Sequence, residues 1–578
     1  MRKKVKISKN ALTILRERYL KRNREGHLKE TVDQMFRRVA WNVASAEGFY
    51  GSPSTKRKTA GTFYQLMSNL EFLPNSPTLM NAGRELQQLS ACFVLPIEDS
   101  LESIFQTVKH TALIHQSGGG TGFSFSRIRP RNDRVLSTNG IASGPLSFMK
   151  VYNLTTEVIK QGGTRRGANM GVLRVDHPDI LDFICVKEDP RELTNFNLSV
   201  GMTDLFMKAL KARKPFSLIN PRTRRQIRKV SSLVLFDLIV KQAWKTGDPG
   251  LLFLDRINSD HPTPQLGPIE TTNPCGEQPL LPYEACTLGS INLARMVSTI
   301  FGTAQIDFSK LKKTVRGAVH FLDNVIDVNR YPLSQIEKIS KGNRKIGVGV
   351  MGFADLLIQL GIPYDSEKAL KVASQIMSYV KEKAQEKSIQ LAKERGVFPN
   401  FKGSRLEKLG VPKIRNATTT TVAPTGSLSL IAGCSSGIEP LYGVSYTRLA
   451  LDDTFLYEVN PLFVAMAKRH GFHSQTLMKK ISKEGTVQGV REVPPEIQSL
   501  FVTAHEIKPE FHVRVQAAFQ KFTENAVSKT INFPEKATPK DVAGAFLLAY
   551  EEGCKGITVY RSGSRERQVL SCRNVQYC

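Results

Sequence analysis

The sequence predicts an α/β protein with a helical N-terminal region, and three observations carry that prediction. From about residue 90 onward, short β-branched or apolar runs alternate with amphipathic helical stretches, the pattern of parallel strands joined by crossover helices. No long Pro/Ser linker divides that region, so one large barrel or sheet is more economical than several domains. Ahead of it, residues 1–70 place apolar side chains at helical spacing among charged ones.

Taken in order, Asn10 is placed to cap the helix ALTILRERYL. The segment SPSTKRKTAGT (52–62) reads as a polar connector or loop. GVLRV (171–175) is a strand before a helix over 178–186, and NLSVGMT (197–203) is a strand before DLFMKALKA. KIGVGVM (345–351) is a strand before GFADLLIQLG. TTTTVAP (418–424) runs into a Gly/Ser turn, and GITVY (556–560) is the last strand. The domain reading is a helical region over 1–70, a catalytic α/β body over 71–561 and a tail over 562–578.

Composition narrows the function class. The 578 residues are 41% hydrophobic and 23% charged, ordinary values for a globular protein. No run approaches the roughly 18 apolar residues of a bilayer span. The basic start MRKKVKISKN meets Ser8, Lys9 and Asn10 where a signal core would be apolar, so no targeting peptide and a cytoplasmic location are expected. The eight cysteines include no C-x-x-C pair, which argues against structural zinc and against a disulfide scaffold. His505-Glu506 starts like a zinc-protease helix, but Pro509 stands where the second histidine belongs, so no metal site is expected. No Gly-x-Ser-x-Gly elbow is present. The net charge of +29 is spread along the chain, with one dense patch at 222–229 (RTRRQIRK). Such a surface steers small phosphorylated substrates, and polynucleotide binding is not expected to be the main function.

The segment Asn273-Pro274-Cys275-Gly276-Glu277 concentrates an amide, a thiol and a carboxyl on a stretch that Pro and Gly keep out of a helix. A thiol flanked by a hydrogen-bonding amide and an acid/base is a candidate reaction centre. Three Gly-rich stretches, SGGGTGF (117–123), QGGTRRGANMG (161–171) and APTGSLSLIAG (423–433), offer backbone N–H groups and hydroxyls to an anion. None closes with the Gly-Lys-Ser/Thr of a P-loop. Together they favour a ligand that carries phosphates.

These residues resemble the large catalytic subunit of ribonucleotide reductase, of the adenosylcobalamin-dependent class II. The similar segments run through nearly the whole chain: PNSPTLMNAG (74–83), LSACFVLP (89–96), SGGGTGFSFSRIRP (117–130), GGTRRGANMGVL (162–173), NPCGEQPLLPYEACTLGSINL (273–293), TTTVAPTGSLSLIAGCSSGIEP (419–440) and NAVSKTINFP (525–534). The class assignment rests on 512–534 and 553–565, and on a single tyrosine in Thr558-Val559-Tyr560 where class I subunits carry two adjacent ones. A class I subunit with a separate radical-generating partner and a non-catalytic nucleotide- or nucleic-acid-binding relative are the alternatives.

The resemblance implies a ten-stranded α/β barrel with 273–277 on a buried inner loop, reducing ribonucleoside diphosphates to 2′-deoxyribonucleoside diphosphates. It implies Cys275 as the thiyl radical, Glu277 as base, Asn273 as a ribose ligand, and Cys92 with Cys286 as the pair that ends as a disulfide. Substrate contacts would come from Ser76, Ser90, Ala91, Gly119, Gly120, Pro424, Thr425, Gly426, Ser427 and Leu428. Cys185, Cys434 and Cys554 read as plain packing residues. Gly163, Thr164, Arg165 and Arg166, with the segment around 129–141, resemble loops that bind a deoxynucleotide effector at a homodimer interface. No N-terminal ATP-cone module is expected, so specificity control without a general dATP off-switch is the expectation. Cys572 and Cys578 are either a compact redox shuttle serving a thioredoxin-like reductant or the remnant of a shortened tail.

Overall fold

The structure, a computed structural model, describes residues 5, 7–51, 53–135, 139–159, 167–300, 302–450, 454–564 and 570–571. Its centre is a ten-stranded sheet. In chain order the strands are β1 (Phe72–Pro74), β2 (Cys92–Val94), β3 (Gly120–Ser124), β4 (Asn169–Arg174), β5 (Phe196–Met202), β6 (Gly250–Phe253), β7 (Glu284–Asn292), β8 (Ile346–Met351), β9 (Thr530–Phe533) and β10 (Gly556–Arg561). Strands β2 to β6 form one run of parallel neighbours. β7 with β8, and β9 with β10, are parallel pairs. The two sets meet antiparallel twice, at β6–β10 and at β2–β7. β1 adds antiparallel to the far end of β7.

The ladder-paired sheet is not a closed ring. Between β8 and β9 runs the segment predicted as a strand over 418–424, and it makes only isolated parallel bridges, Val348 with Thr420 and Val422 with Val527. The segment is extended and bonded on both sides, with Val348 N–H to the Thr419 carbonyl at 2.8 Å and Ser528 N–H to the Val422 carbonyl at 2.8 Å. The Thr419 N–H is taken by the Glu524 carboxylate at 2.5 Å. A backbone donor spent on a side chain is lost to the neighbouring strand.

Two N-terminal readings are corrected. The first helix starts at Lys9, and its cap is Ser8, whose Oγ accepts the Ala11 N–H at 3.1 Å. Asn10 instead donates to the Tyr457 carbonyl at 2.8 Å. The stretch read as a connector over 52–62 lies mostly in the helix Pro53–Ser68. Arg57 and Lys58 are exposed and Lys56 lies over the Trp41 ring, while Ala60, Phe63, Leu66 and Met67 are buried. That apolar stripe recurs at helical spacing beyond the end of the polar segment, and it decides the fold of the stretch.

The N-terminal helices are fastened to the barrel through the helix Phe308–Val328. Phe321 meets Phe63 edge-on at 4.9 Å and Phe72 of β1 at 5.6 Å. Beside these rings, buried Arg344 binds Asp323 at 2.8 Å and Asp327 at 2.7 Å, and Arg395 binds Glu47 at 2.8 Å. Burial alone pushes the Asp323 carboxyl up, but Arg344, Arg415 and Arg395 outweigh it and hold it at about 2. Among the described residues, no helix is long and apolar enough to cross a membrane. No cluster of three or more His, Cys, Asp or Glu side chains among them is arranged to hold a metal.

Candidate active site

A two-stranded hairpin, Thr271–Thr272 with Pro279–Leu280, carries the 273–278 tip. It runs so close to β3 that a Cβ on Gly122 would lie 1.8 Å from the Thr272 carbonyl oxygen, which makes glycine obligatory there. The turn itself needs Gly276, whose φ is +82° and whose N–H donates to the Asn273 carbonyl at 3.1 Å. Asn197 on β5 donates to the Pro274 carbonyl at 2.8 Å. On the other flank, the Ala526 N–H and the Thr421 hydroxyl both donate to the Glu277 carbonyl, at 3.0 and 2.9 Å.

This scaffold separates the three chemical side chains. Asn273 and Glu277 are buried. Cys275 is exposed at the tip, against the expectation of a wholly buried loop, because it projects into a cavity of about 860 Å³ bounded also by Asn197, Ser199, Pro424, Thr558 and Tyr560. The Asn273 amide accepts the Gln278 N–H on Oδ1 at 3.0 Å and donates from Nδ2 to Cys92 Sγ at 3.1 Å. Burial raises the Glu277 carboxyl to about 7, with the Asn273 amide acting in the opposite direction. Its Oε2 is buried with no hydrogen-bond partner among the described residues, an arrangement that suits a group meant to exchange a proton with a substrate.

Cys92 and Cys286, remote in sequence, are direct register partners across β2 and β7. Opposed cross-strand Cβ atoms lie about 4.5–5.5 Å apart, within small adjustment of disulfide spacing. Both are thiols here, and burial pushes both up from the ordinary range. Glu277 acts electrostatically on both, and Cys275 acts on Cys92, so three sulfurs and one carboxyl share a neighbourhood.

The other sequence-predicted residues are placed unevenly. Ser76 opens the helix Ser76–Asn81, with its Oγ 2.8 Å from the Tyr19 hydroxyl. Ser90 is buried and its Oγ accepts from Asn329 Nδ2 at 2.9 Å. Half-buried Ala91 packs against the thiol pair. Gly119 and Gly120 already donate their N–H groups, to Ile114 and Ala91 carbonyls at 3.2 and 3.0 Å. They act as close-packing positions rather than open anion donors, since a Cβ on Gly119 would fall 2.4 Å from Phe93. Pro424 lines the cavity. Thr425 takes a left-handed φ of +52° and its Oγ1 accepts the Gly437 N–H at 2.7 Å. The helix Gly426–Ala432 starts at once, with Gly426 exposed, Ser427 half-buried and Leu428 buried. Gly163, Thr164, Arg165, Arg166, Cys572 and Cys578 lie outside the described residues. Cys554 is buried, Cys185 is half-buried, and Cys434 reaches the cavity wall. Asn197 and Thr421, which hold the loop, were not singled out from the sequence. The usable signal was an amide, Asn197, near the start of a mostly apolar strand.

A family model described as the ribonucleotide reductase barrel domain matches residues 90–560, and one described as the ribonucleotide reductase all-alpha domain matches residues 5–87. The chain belongs to the ribonucleotide reductase family. Within that family it is 50% identical to the vitamin B12-dependent ribonucleoside-diphosphate reductase of Mycobacterium tuberculosis (strain CDC 1551), over 99% of this chain and 82% of that one. It is 48% identical to the protein of the same name from Thermoplasma acidophilum, over 98% of this chain and 80% of that one. The class Id ribonucleotide reductase alpha subunit of Actinobacillus ureae shares the fold, with a TM-score of 0.78 at 23% identity, covering 96% of this chain and 97% of that one.

Proposed function

We propose that this reductase converts ribonucleoside diphosphates to 2′-deoxyribonucleoside diphosphates with adenosylcobalamin as cofactor. One observation carries the reading: an exposed thiol at a loop tip, a buried carboxyl raised to about 7 and a facing pair of buried thiols share one neighbourhood beside a wide cavity. The cavity fits a bulky group brought close to Cys275, and the wall with Asn197, Ser199, Thr558 and Tyr560 would hold it. When bound, adenosylcobalamin supplies the radical chemistry that removes the Cys275 hydrogen atom.

The remaining steps belong to side chains of this chain. The Cys275 sulfur takes the 3′-hydrogen of the ribose. Glu277 takes the 3′-hydroxyl proton, and the Asn273 amide fixes the sugar. The 2′-hydroxyl leaves as water with a proton from the Cys92–Cys286 pair. That pair delivers its second hydrogen to C2′, gives up two electrons in all and closes to a disulfide, Glu277 returns its proton to the 3′-oxygen, and Cys275 returns its hydrogen to C3′. Ser76 and the start of the helix Gly426–Ala432 would take the phosphates.

A thioredoxin-like dithiol would reopen the disulfide, which suits a reducing cytoplasm. A deoxynucleotide effector at 129–141 and 162–170, on a homodimer interface, would choose the base.

The test is an assay of the isolated chain with cytidine diphosphate, adenosylcobalamin and dithiothreitol. Deoxycytidine diphosphate is expected without any second subunit, and none when the cofactor is omitted. Turnover only after adding a separate radical-generating protein would overturn the cofactor assignment.

A further inference from the structure

A buried ion pair lies beside the thiol pair, and the steps above do not use it. Lys345 is 2% exposed and Glu284 0%, and Lys345 Nζ binds Glu284 Oε2 at 2.8 Å. Glu284 is held in turn by the Leu281 N–H at 2.9 Å and by Asn343 Nδ2 at 2.6 Å. Glu284 precedes Cys286 by two positions on β7, so both side chains share one face of the strand. Lys345 stands immediately before β8, where Thr287 pairs with Ile346, which sets Lys345 beside Cys286. The Cys286 thiol lies 3.5 Å from both the Thr287 and the Lys345 carbonyls.

A buried ion pair gives little stability over apolar residues of the same size. Its place next to a thiol of the proposed redox pair gives it a chemical use to be weighed. Lys345, Glu284 and Glu277 act on Cys286, and Glu277, Cys275 and Cys286 itself act on its partner Cys92. His261 is close enough to feel the Lys345 charge. Burial is the largest influence on the Cys286 thiol and pushes it up, and the Lys345 charge is the largest influence in the other direction.

We propose that Lys345 is a positioning residue for the reductive half of the cycle: its ammonium, locked by Glu284, stabilises the Cys286 thiolate released when a dithiol opens the Cys92–Cys286 disulfide. The proposal rests on the redox reading of that pair. In the step, a reductant thiolate attacks Cys92 Sγ, the S–S bond breaks, and its electron pair goes to Cys286 Sγ. Cys286 then takes a proton. The second reductant thiol attacks the mixed disulfide, releases Cys92 and leaves the reductant as a disulfide. Exchange is faster when the leaving sulfur is the more acidic thiol, so the cation acts on the rate of opening.

The experiment uses the full chain, oxidised at Cys92–Cys286 with diamide and reopened with dithiothreitol, with new thiols counted over time across pH. Lys345→Gln is expected to open roughly tenfold more slowly at neutral pH, and Lys345→Arg to open at nearly the wild-type rate. Lys345→Gln leaves a buried carboxylate without its cation and is prone to misfold. The double variant Glu284→Leu/Lys345→Met removes both charges, and slower opening is expected from it as well, by a smaller factor. Opening of the double variant at the wild-type rate overturns the role of Lys345 while the redox pair stands. Peptide mapping of wild type after substrate turnover without reductant separates the two ideas. If Cys92 and Cys286 are not linked there, the redox reading falls and this role falls with it.

Discussion

Cys275 rides on a hairpin tip, exposed to a cavity, whereas Cys92 and Cys286 are 4% and 1% exposed and face each other across two strands. The two settings fit the two kinds of sulfur chemistry proposed for them. A hydrogen-atom carrier needs reach: a tip bent by Gly276 and anchored at Pro274 and Glu277 brings one sulfur out of the wall. A two-electron pair needs fixed spacing, which a β-ladder provides, since opposed residues in a ladder cannot drift apart without breaking main-chain hydrogen bonds. The loop thiol can be lost without disturbing the core, while each strand thiol is part of it.

The largest effect expected from this contrast is at the tip. Cys275→Ala should show no detectable turnover, with unfolding free energy within about 0.5 kcal/mol of wild type, because the side chain is exposed at the loop tip. A denaturant melt showing a large loss would mean that the tip is structural.

Next come Cys92→Ser and Cys286→Ser. Steady turnover should fall to background, while release of tritium from 3′-labelled substrate persists, because the Cys275 step precedes the pair. Each should also cost about 1–3 kcal/mol of stability, because a hydroxyl is costlier to bury than a thiol and the partners already at hand, Asn273 for residue 92 and the Lys345 carbonyl for residue 286, offset only part of that. Loss of tritium release in these variants would tie the pair to the first step and erase the division of labour.

The smallest effect is at Glu277, which lies between the two settings. Glu277→Gln should lower turnover roughly 10²–10⁴-fold. In wild type the activity should rise with pH toward a plateau above about 7, as the raised carboxyl ionises and becomes a base. Stability should run the other way. Between 4.5 and about 7 the folded state keeps a proton that the unfolded state has lost, so stability falls by about 3 kcal/mol across that window as pH rises. Unfolding of Glu277→Gln over the same range should lack that slope.

Most of the fold was legible where apolar periodicity was strong. The strands near 171, 197, 345 and 556 and the helices after the first three stand where the pattern put them. The misreadings fall where a local signal competed with a distant one. Residues 52–62 look like a loop because their own composition is polar, and the stripe that makes them helical continues past the segment into Phe63, Leu66 and Met67. Asn10 is a good cap by type, but Ser8 holds that position and Tyr457, far along the chain, uses the amide. The 418–424 strand was anticipated, but not the Glu524 carboxylate that removes one of its donors.

The sequence by itself determined the α/β class, the helical start and the turn at 273–277, because periodicity and the backbone limits of Pro and Gly act within a few residues. The family pattern, also in the sequence, named the thiols and the acid. Only the tertiary structure set Cys92 against Cys286, raised Glu277 to about 7 and laid a buried lysine beside the pair. Spacing between distant residues is created by the barrel, and a carboxyl or an ammonium changes its chemistry only once folding takes water away from it.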